Sequence, residues 1–432
     1  MAPKYAPSLR RLLPVLAICL EIAFILIFIF FVQYDDSYIQ DETQSKKRKT
    51  VTTVYADFQD VHVMVFLGFG FLMSFLRRYG FSSTGFNLLV AALGVQWATL
   101  VNGFMFEFSD GKIRINMMSL VTANLCAASA LISMGAVLGK TNPVQLLLMT
   151  LLEVTSFIFN HWLLTTFIKM DCVPSIMHHH VFGAYFGLMV SWALHRPGLR
   201  QRHEKEKSST DMGKFSMLGT IFLWMFWPSY NSVLIEGKAE KMNAVYSTYF
   251  SLAASAVTVF AFSVLISKKG KMNMVYIHNA TLAGGVAVGA AATVIPSPWI
   301  ALTIGLTAGL ICILGCWFMK PFLELAFDIH DTCGVHYVHG VPGILGVLIR
   351  IVIELATASN LQVAWSEAAF YLLALYITLA LSLVLGLVTG FLLKLNIWKP
   401  DQKYFDDQAF WEITTIPSPP PNTQFPHLAV KL

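Results

Sequence analysis

Charge is what this sequence has least of. Of 432 residues, only 13% are Asp, Glu, Lys or Arg, while 56% are apolar; an ordinary soluble domain carries about 25% charged residues. A soluble chain could not hide that much apolar surface, which excludes the soluble globular classes. Cysteine is scarce as well. The six, Cys19, Cys126, Cys172, Cys312, Cys316 and Cys333, lie in or beside apolar runs without the spacing of a disulfide framework, so they define no redox compartment. A cleavable leader is not evident. Lys4, Arg10 and Arg11 precede the run Leu12 to Phe31, but that run is too long for a signal sequence and no small-residue cleavage site precedes Gln33. No cofactor loop and no nucleophile–base constellation occurs, which leaves an enzyme without support.

What the chain has in abundance is apolar runs of membrane length. A helix rising about 1.5 Å per residue needs about 20 apolar residues to cross the hydrocarbon core. Such runs occur near 12–32, 61–76, 86–106, 117–138, 145–168, 176–194, 215–235, 244–267, 274–294, 298–318, 336–357 and 367–393. The predicted class is an all-α polytopic membrane protein with about twelve spans. Basic residues mark one side: the amino end, Arg77-Arg78, Lys140, the stretch Arg196 to Lys214, and Lys268, Lys269 and Lys271. By the positive-inside rule these are cytoplasmic, and so are both termini. Lys46-Lys47-Arg48-Lys49 is an exception, in a predicted external loop that also carries Asp and Glu. The formal net charge of +5 follows from the loops and makes no case for nucleic acid.

Two regions follow: a transmembrane domain, residues 1–397, and a cytoplasmic tail, residues 398–432. The tail runs from Lys403-Tyr404-Phe405-Asp406-Asp407 to Pro417-Ser418-Pro419-Pro420-Pro421, which favours extended chain. It reads as a solvated tail, with a partner-docking segment as the alternative.

Ionisable residues inside spans are costly, so they are candidates for function. One cluster, Met177-His178-His179-His180-Val181-Phe182-Gly183, opens the sixth span; another, His330-Asp331-Thr332-Cys333-Gly334-Val335-His336-Tyr337-Val338-His339-Gly340, opens the eleventh. Successive helical residues point in different directions, so only one or two of the three adjacent histidines can face a common path. His180 fits best, with Gly183 and Gly187 near its face, where small residues permit close helix approach. His336 and His339 lie at i,i+3 on one face, beside Gly340 and Gly343. A lone span histidine most often makes a plain interhelical hydrogen bond; two clusters in related positions argue for more. The helices they open run in opposite directions, as in an inverted repeat of spans two to six and seven to eleven.

Two neutral imidazoles facing one another can share a proton and still bind a small polar molecule. A low-dielectric site disfavours ions, so it favours passage of an uncharged species over its cation. Ammonia, formed from ammonium by loss of a proton, suits such a path. A transition-metal path is the rival, since imidazole binds zinc. Only Asp331 and Cys333 stand near the histidines as further ligands, so no metal site is assigned.

At these residues the chain resembles the ammonium transporter and Rhesus (Rh) protein family over nearly its whole length. The resemblance is carried by Phe58-Gln59-Asp60-Val61-His62-Val63-Met64, Phe86-Asn87-Leu88-Leu89, Gly135-Ala136-Val137-Leu138-Gly139-Lys140, Leu223-Trp224-Met225-Phe226-Trp227-Pro228-Ser229-Tyr230-Asn231 and Asn279-Ala280-Thr281-Leu282-Ala283-Gly284-Gly285. Tyr404-Phe405-Asp406-Asp407-Gln408 and Phe425-Pro426-His427-Leu428-Ala429-Val430 are most similar to the blood-group Rh polypeptides of red cells. The resemblance implies trimers of subunits, each with a hydrophobic ammonia pore lined by twin histidines, which match here to His180 and His336. His339 and Asp331 are expected beside that pore. The family's pore-gate phenylalanines match Leu125 and Tyr230, and the acid before the first becomes Asn124. An aspartate near the first histidine matches Cys172, with Asp171 one place away, and vestibule acids match His161 and Thr166.

The first predicted external loop holds no Asn-X-Ser/Thr site, and the one at Asn279 falls within a span, so an unglycosylated subunit is expected. The resemblance further implies the erythrocyte plasma membrane, a homo- or hetero-trimer with a glycosylated Rh-associated subunit, and membrane-skeleton contact through the tail. Two functions are therefore carried forward. The first is an ammonia channel; the second is a non-conducting or weakly conducting subunit of an oligomeric Rh complex, favoured by the altered gate.

Overall fold

With no water in the bilayer core, each backbone N–H and C=O must be satisfied within its own helix, and the apolar runs accordingly form helices. A computed structural model describes residues 7–35, 45–195, 206–398 and 404–413. The principal helices are α1 (Leu13–Phe31), α2 (Ser45–Val63, continued by further helical turns to Phe75), α3 (Gly80–Asn102), α4 (Met117–Val137), α5 (Pro143–Thr166), α6 (His179–Ala193) and α7 (Thr210–Ser232). They continue with α8 (Lys238–Leu265), α9 (Met274–Ala280), α10 (Ala283–Gly289), α11 (Pro298–Leu314), α12 (Val341–Thr357) and α13 (Leu361–Leu393).

Every predicted span has its helix, with α9 and α10 sharing one. Among the described residues, nine helical stretches are long and apolar enough to cross a membrane. The remaining three predicted spans correspond to α6, α7 and the broken pair α9 and α10. Of these, α6 and the pair α9 and α10 are mostly buried, whereas α7 leaves Phe215, Leu218, Ile221 and Met225 exposed. Nearly every residue of α6 is buried, so its polar side chains are chosen by neighbouring helices. Asn116 and Asn142 start α4 and α5 with reciprocal capping bonds to Ser119 and Gln145.

Close packing at α6 depends on absent side chains. A Cβ on Gly187 would lie 2.6 Å from the Ser133 Cα of α4, and one on Gly386 of α13 would lie 2.5 Å from the Phe186 carbonyl oxygen. The backbone of α6 is thus pressed between two helices, as small residues in spans allow.

Two features lie outside the all-α expectation. A three-stranded sheet pairs β1 (Val32–Tyr34) parallel with β3 (Lys112–Ile115), and β3 antiparallel with β2 (Phe108–Ser109). Its hairpin turns at Asp110 and Gly111, both at positive φ. At the opposite end of α4, the tail is not simply solvated. Phe405 is fully buried and donates its N–H to the Gly139 carbonyl at 2.9 Å. Asp407 accepts from the Phe81 and Ser82 N–H groups, capping α3 from far along the chain. Trp411 donates its indole N–H to Ser82 Oγ. The Pro417–Pro421 segment and residues 425–430 lie outside the described residues.

Candidate functional site: a paired-histidine path

His180, early in α6, and His339, in the turn before α12, meet through their Nδ1 atoms at 3.2 Å. Their rings are near-parallel, with centroids 5.2 Å apart. In such a contact one nitrogen donates and the other accepts, so the two rings hold complementary tautomers and share one proton. His180 Nε2 is buried and has no protein partner. That nitrogen therefore keeps one hydrogen-bonding capacity unused.

The expected pairing of His180 with His336 is therefore corrected: the partner is His339. The cause is local. Residues His336–Gly340 form a π-helical turn in which the Val341 N–H reaches back to the His336 carbonyl. Pro342 follows and offers no N–H to an α-helical bond, and the widened turn separates faces that α-helical spacing would have merged. His336 packs instead on the rings of Tyr185 and Tyr337, at 5.6 and 4.9 Å. Asp331 orients this turn, accepting from the Gly334, Val335 and His336 N–H groups. Its role here is that of a cap.

The other two histidines of the first cluster are not spectators. His178 donates Nδ1–H to the Pro174 carbonyl, and His179 donates Nδ1–H to the Ile176 carbonyl, each at 2.8 Å. With its Nδ1 proton committed, neutral His179 accepts at Nε2, and the donor is the Tyr230 hydroxyl at 2.7 Å. Tyr230 is fully buried on α7. Its neighbour one turn earlier, Trp227, lies near-parallel to His180 at 5.9 Å. The sequence reading passed over Trp227, although its i,i+3 spacing from Tyr230 puts both on one face.

The remaining candidates are placed as follows. Leu125 is fully buried on α4. Asn124 donates back to the Leu120 carbonyl of its own helix. Asp171 is exposed just before the short helix Cys172–Met177. His161 binds Ser175 Oγ at 2.8 Å. One intramembrane carboxylate was missed: Glu153 of α5 is fully buried, and its Oε1 accepts from Ser129 and Ser133 of α4. A single acid inside the run 145–168 was the available signal.

Beyond His339 lies a cavity of about 20 Å³, lined by Phe69, Leu131, Ile132, Asn279, Cys333 and His339 among others. One water-sized molecule needs roughly 10–15 Å³, so the space takes one small molecule. Asn279 and Cys333 also line a larger cavity of about 710 Å³, together with Glu206, Lys207, Lys320 and Glu324. The two cavities therefore share a wall at Asn279 and Cys333, and the larger one carries charged side chains.

Buried His330 lies against Glu206, in the wall of the larger cavity. Its Nε2 lies 3.1 Å from Glu206 Oε2, and its Nδ1 lies 3.2 Å from Lys140 Nζ. Lys140 also donates to Ser191 Oγ and to the His330 carbonyl. Burial pulls the Lys140 amine down to about 8, against the pull of Asp331 and Glu206. For Glu206, burial pushes the carboxyl upward, but the His330 hydrogen bond together with the nearby His330, Lys320 and Lys140 groups outweighs it and holds it below the ordinary value.

Known proteins resemble this chain over most of its length. A sequence model of the Ammonium Transporter Family matches residues 22–415. Ammonium transporter Rh type B of Danio rerio is 44% identical, over 94% of each chain. Ammonium transporter Rh type A of Bos taurus is also 44% identical, over 94% of this chain and 96% of its own. An RH-like protein of Macaca mulatta is 45% identical over the full length of both. Among solved structures, Rh50 of Nitrosomonas europaea, described as a channel of the Rhesus protein family, superposes with a TM-score of 0.75 at 33% identity. That match covers 87% of this chain and 95% of the other.

Proposed function

Because the chain belongs to the ammonium transporter family, we propose that it conducts neutral ammonia through the His180–His339 pair. Membership makes it a membrane channel or transporter and not an enzyme. The observation that carries the finer reading is the 3.2 Å Nδ1–Nδ1 contact beside a buried, partnerless His180 Nε2. An ion at that point would exchange its hydration for two uncharged rings and apolar walls, a heavy desolvation cost. Ammonia offers a lone pair and N–H donors and matches either tautomer. Ammonium leaves its proton on the far side, and ammonia takes up another in the vestibule lined by Glu206 and Glu324.

In this reading the subunit sits in a plasma membrane with both termini cytoplasmic, as the basic loops favour. It assembles as a trimer of the erythroid Rh type, with itself or with a glycosylated Rh-associated subunit, and its tail contacts the membrane skeleton. A second reading, a weakly conducting or non-conducting assembly subunit, is favoured by Leu125 and by the Tyr230 hydroxyl tied to His179. Stopped-flow pH measurement on proteoliposomes separates them. At fixed total ammonium, a one-unit rise in external pH raises neutral ammonia about tenfold below its pKa. Flux above empty liposomes that scales with ammonia supports the channel; flux equal to empty liposomes leaves the assembly subunit.

A further inference from the structure

A cavity of about 520 Å³ opens where α2 ends, between the starts of α3 and α7 and the packed segment 406–413. Its walls are of two kinds. Phe71, Phe81, Phe215 and Ile413 supply apolar surface, with Phe71 and Phe215 stacked at 6.0 Å. Arg77 and Arg78 supply charge, and both are exposed. Among the described residues neither guanidinium has a carboxylate at ion-pair distance. Asp407, in the same wall, spends its oxygens on the Phe81 and Ser82 N–H groups, and Asp406 accepts from the Gln408 N–H. Lys207, joined through its carbonyl to the Arg77 N–H, adds a third exposed cation next to the site.

We propose that this cavity binds the headgroup and upper acyl chain of an anionic phospholipid. The two arginines stand just past the last turn of a membrane-crossing stretch, Val54–Phe75, which places them at headgroup level. Unpaired guanidinium groups there take phosphate oxygens in forked pairs, and the exposed rings of Phe81 and Phe215 give the chain an apolar wall. The basic loops place this end on the cytoplasmic side, where anionic lipids concentrate. The chain's own residues 414–432, which leave from Ile413, are a poor alternative occupant: they contain no Asp or Glu to neutralise the arginines. The site is separate from the histidine path and stands whether or not the protein conducts.

The test is a lipid titration of the purified protein in maltoside detergent, followed by native mass spectrometry with phosphatidylserine and phosphatidylcholine as probes. The first phosphatidylserine is expected to bind with clear preference over phosphatidylcholine. Arg77→Gln/Arg78→Gln should weaken it roughly thirtyfold, at about 1 kcal/mol per basic residue. Lys268→Gln/Lys269→Gln, which removes equal charge from another basic loop, should leave it unchanged. Arg77→Lys/Arg78→Lys should keep most of the affinity, which guards against a loss caused by misfolding. Equal binding of the two lipids, equal loss in both glutamine variants, or displacement of the lipid by equimolar inorganic phosphate would each overturn the proposal. So would preference for phosphatidylserine appearing only after residues 414–432 are deleted, since the tail would then be the native occupant.

Discussion

The Tyr230 hydroxyl donates to His179 Nε2 at 2.7 Å, in a site where both side chains are fully buried. A backbone carbonyl fixes the tautomer of the histidine, so the tyrosine has one way to satisfy its proton. Tyr230→Phe would leave His179 Nε2 buried without a donor, at a cost of about 1–3 kcal/mol. His179→Ala would orphan the hydroxyl and open a void. We expect each variant to lower the thermal unfolding midpoint of the detergent-solubilised protein. The double variant should lose less than the sum, because the two act as one unit. Additive losses would show that the pair is not coupled.

The packed segment 404–411 should be removable at a single atom. Gly139 adopts φ +78, and a Cβ there would lie 2.1 Å from the Phe405 ring. Gly139→Ala is therefore expected to expel Phe405, and limited proteolysis after residue 404 should speed up markedly. Asp407→Ala removes the cap of α3 instead, with an expected loss of about 1 kcal/mol in stability. Unchanged proteolysis in Gly139→Ala would contradict the close contact.

Lys140 gives a pH dependence with a definite sign. Its amine is pulled from 10.5 to about 8 in the folded chain by burial. Below about 8 it is charged in both states, and the burial penalty is present in full. As pH rises from there toward 10.5, the unfolded chain holds a proton that the folded chain has released, so stability rises with pH. Unfolding midpoints between pH 7 and 10 should show this rise in the parent and a flatter profile in Lys140→Met. Parallel profiles would mean that another group carries the effect.

The helices were legible because membrane burial demands long apolar runs, and His180 was legible because Gly183 and Gly187 mark the buried face of α6. The choice between His336 and His339 was not. Helical spacing put both on one face, and only the widened turn before Pro342 separates them. The β2–β3 hairpin had a signal, Asp110-Gly111, hidden by the expectation of helices alone. The docking of Phe405 had none, since it depends on a left-handed backbone at φ 50 and on a glycine far away in sequence. Nor could spacing reveal that Tyr230 donates to His179, because the bond joins two distant helices.

The most direct test of the paired-histidine path is ammonia flux in proteoliposomes of His180→Ala, His339→Ala and His336→Ala, normalised to protein that assembles like the parent. Removing either member of the pair leaves the other's nitrogen without its partner; if that adds about 1.4 kcal/mol to the barrier, flux falls about tenfold. The account predicts such a fall for His180→Ala and His339→Ala, and near-parental flux for His336→Ala. A parental rate in His339→Ala with a collapse in His336→Ala would contradict it.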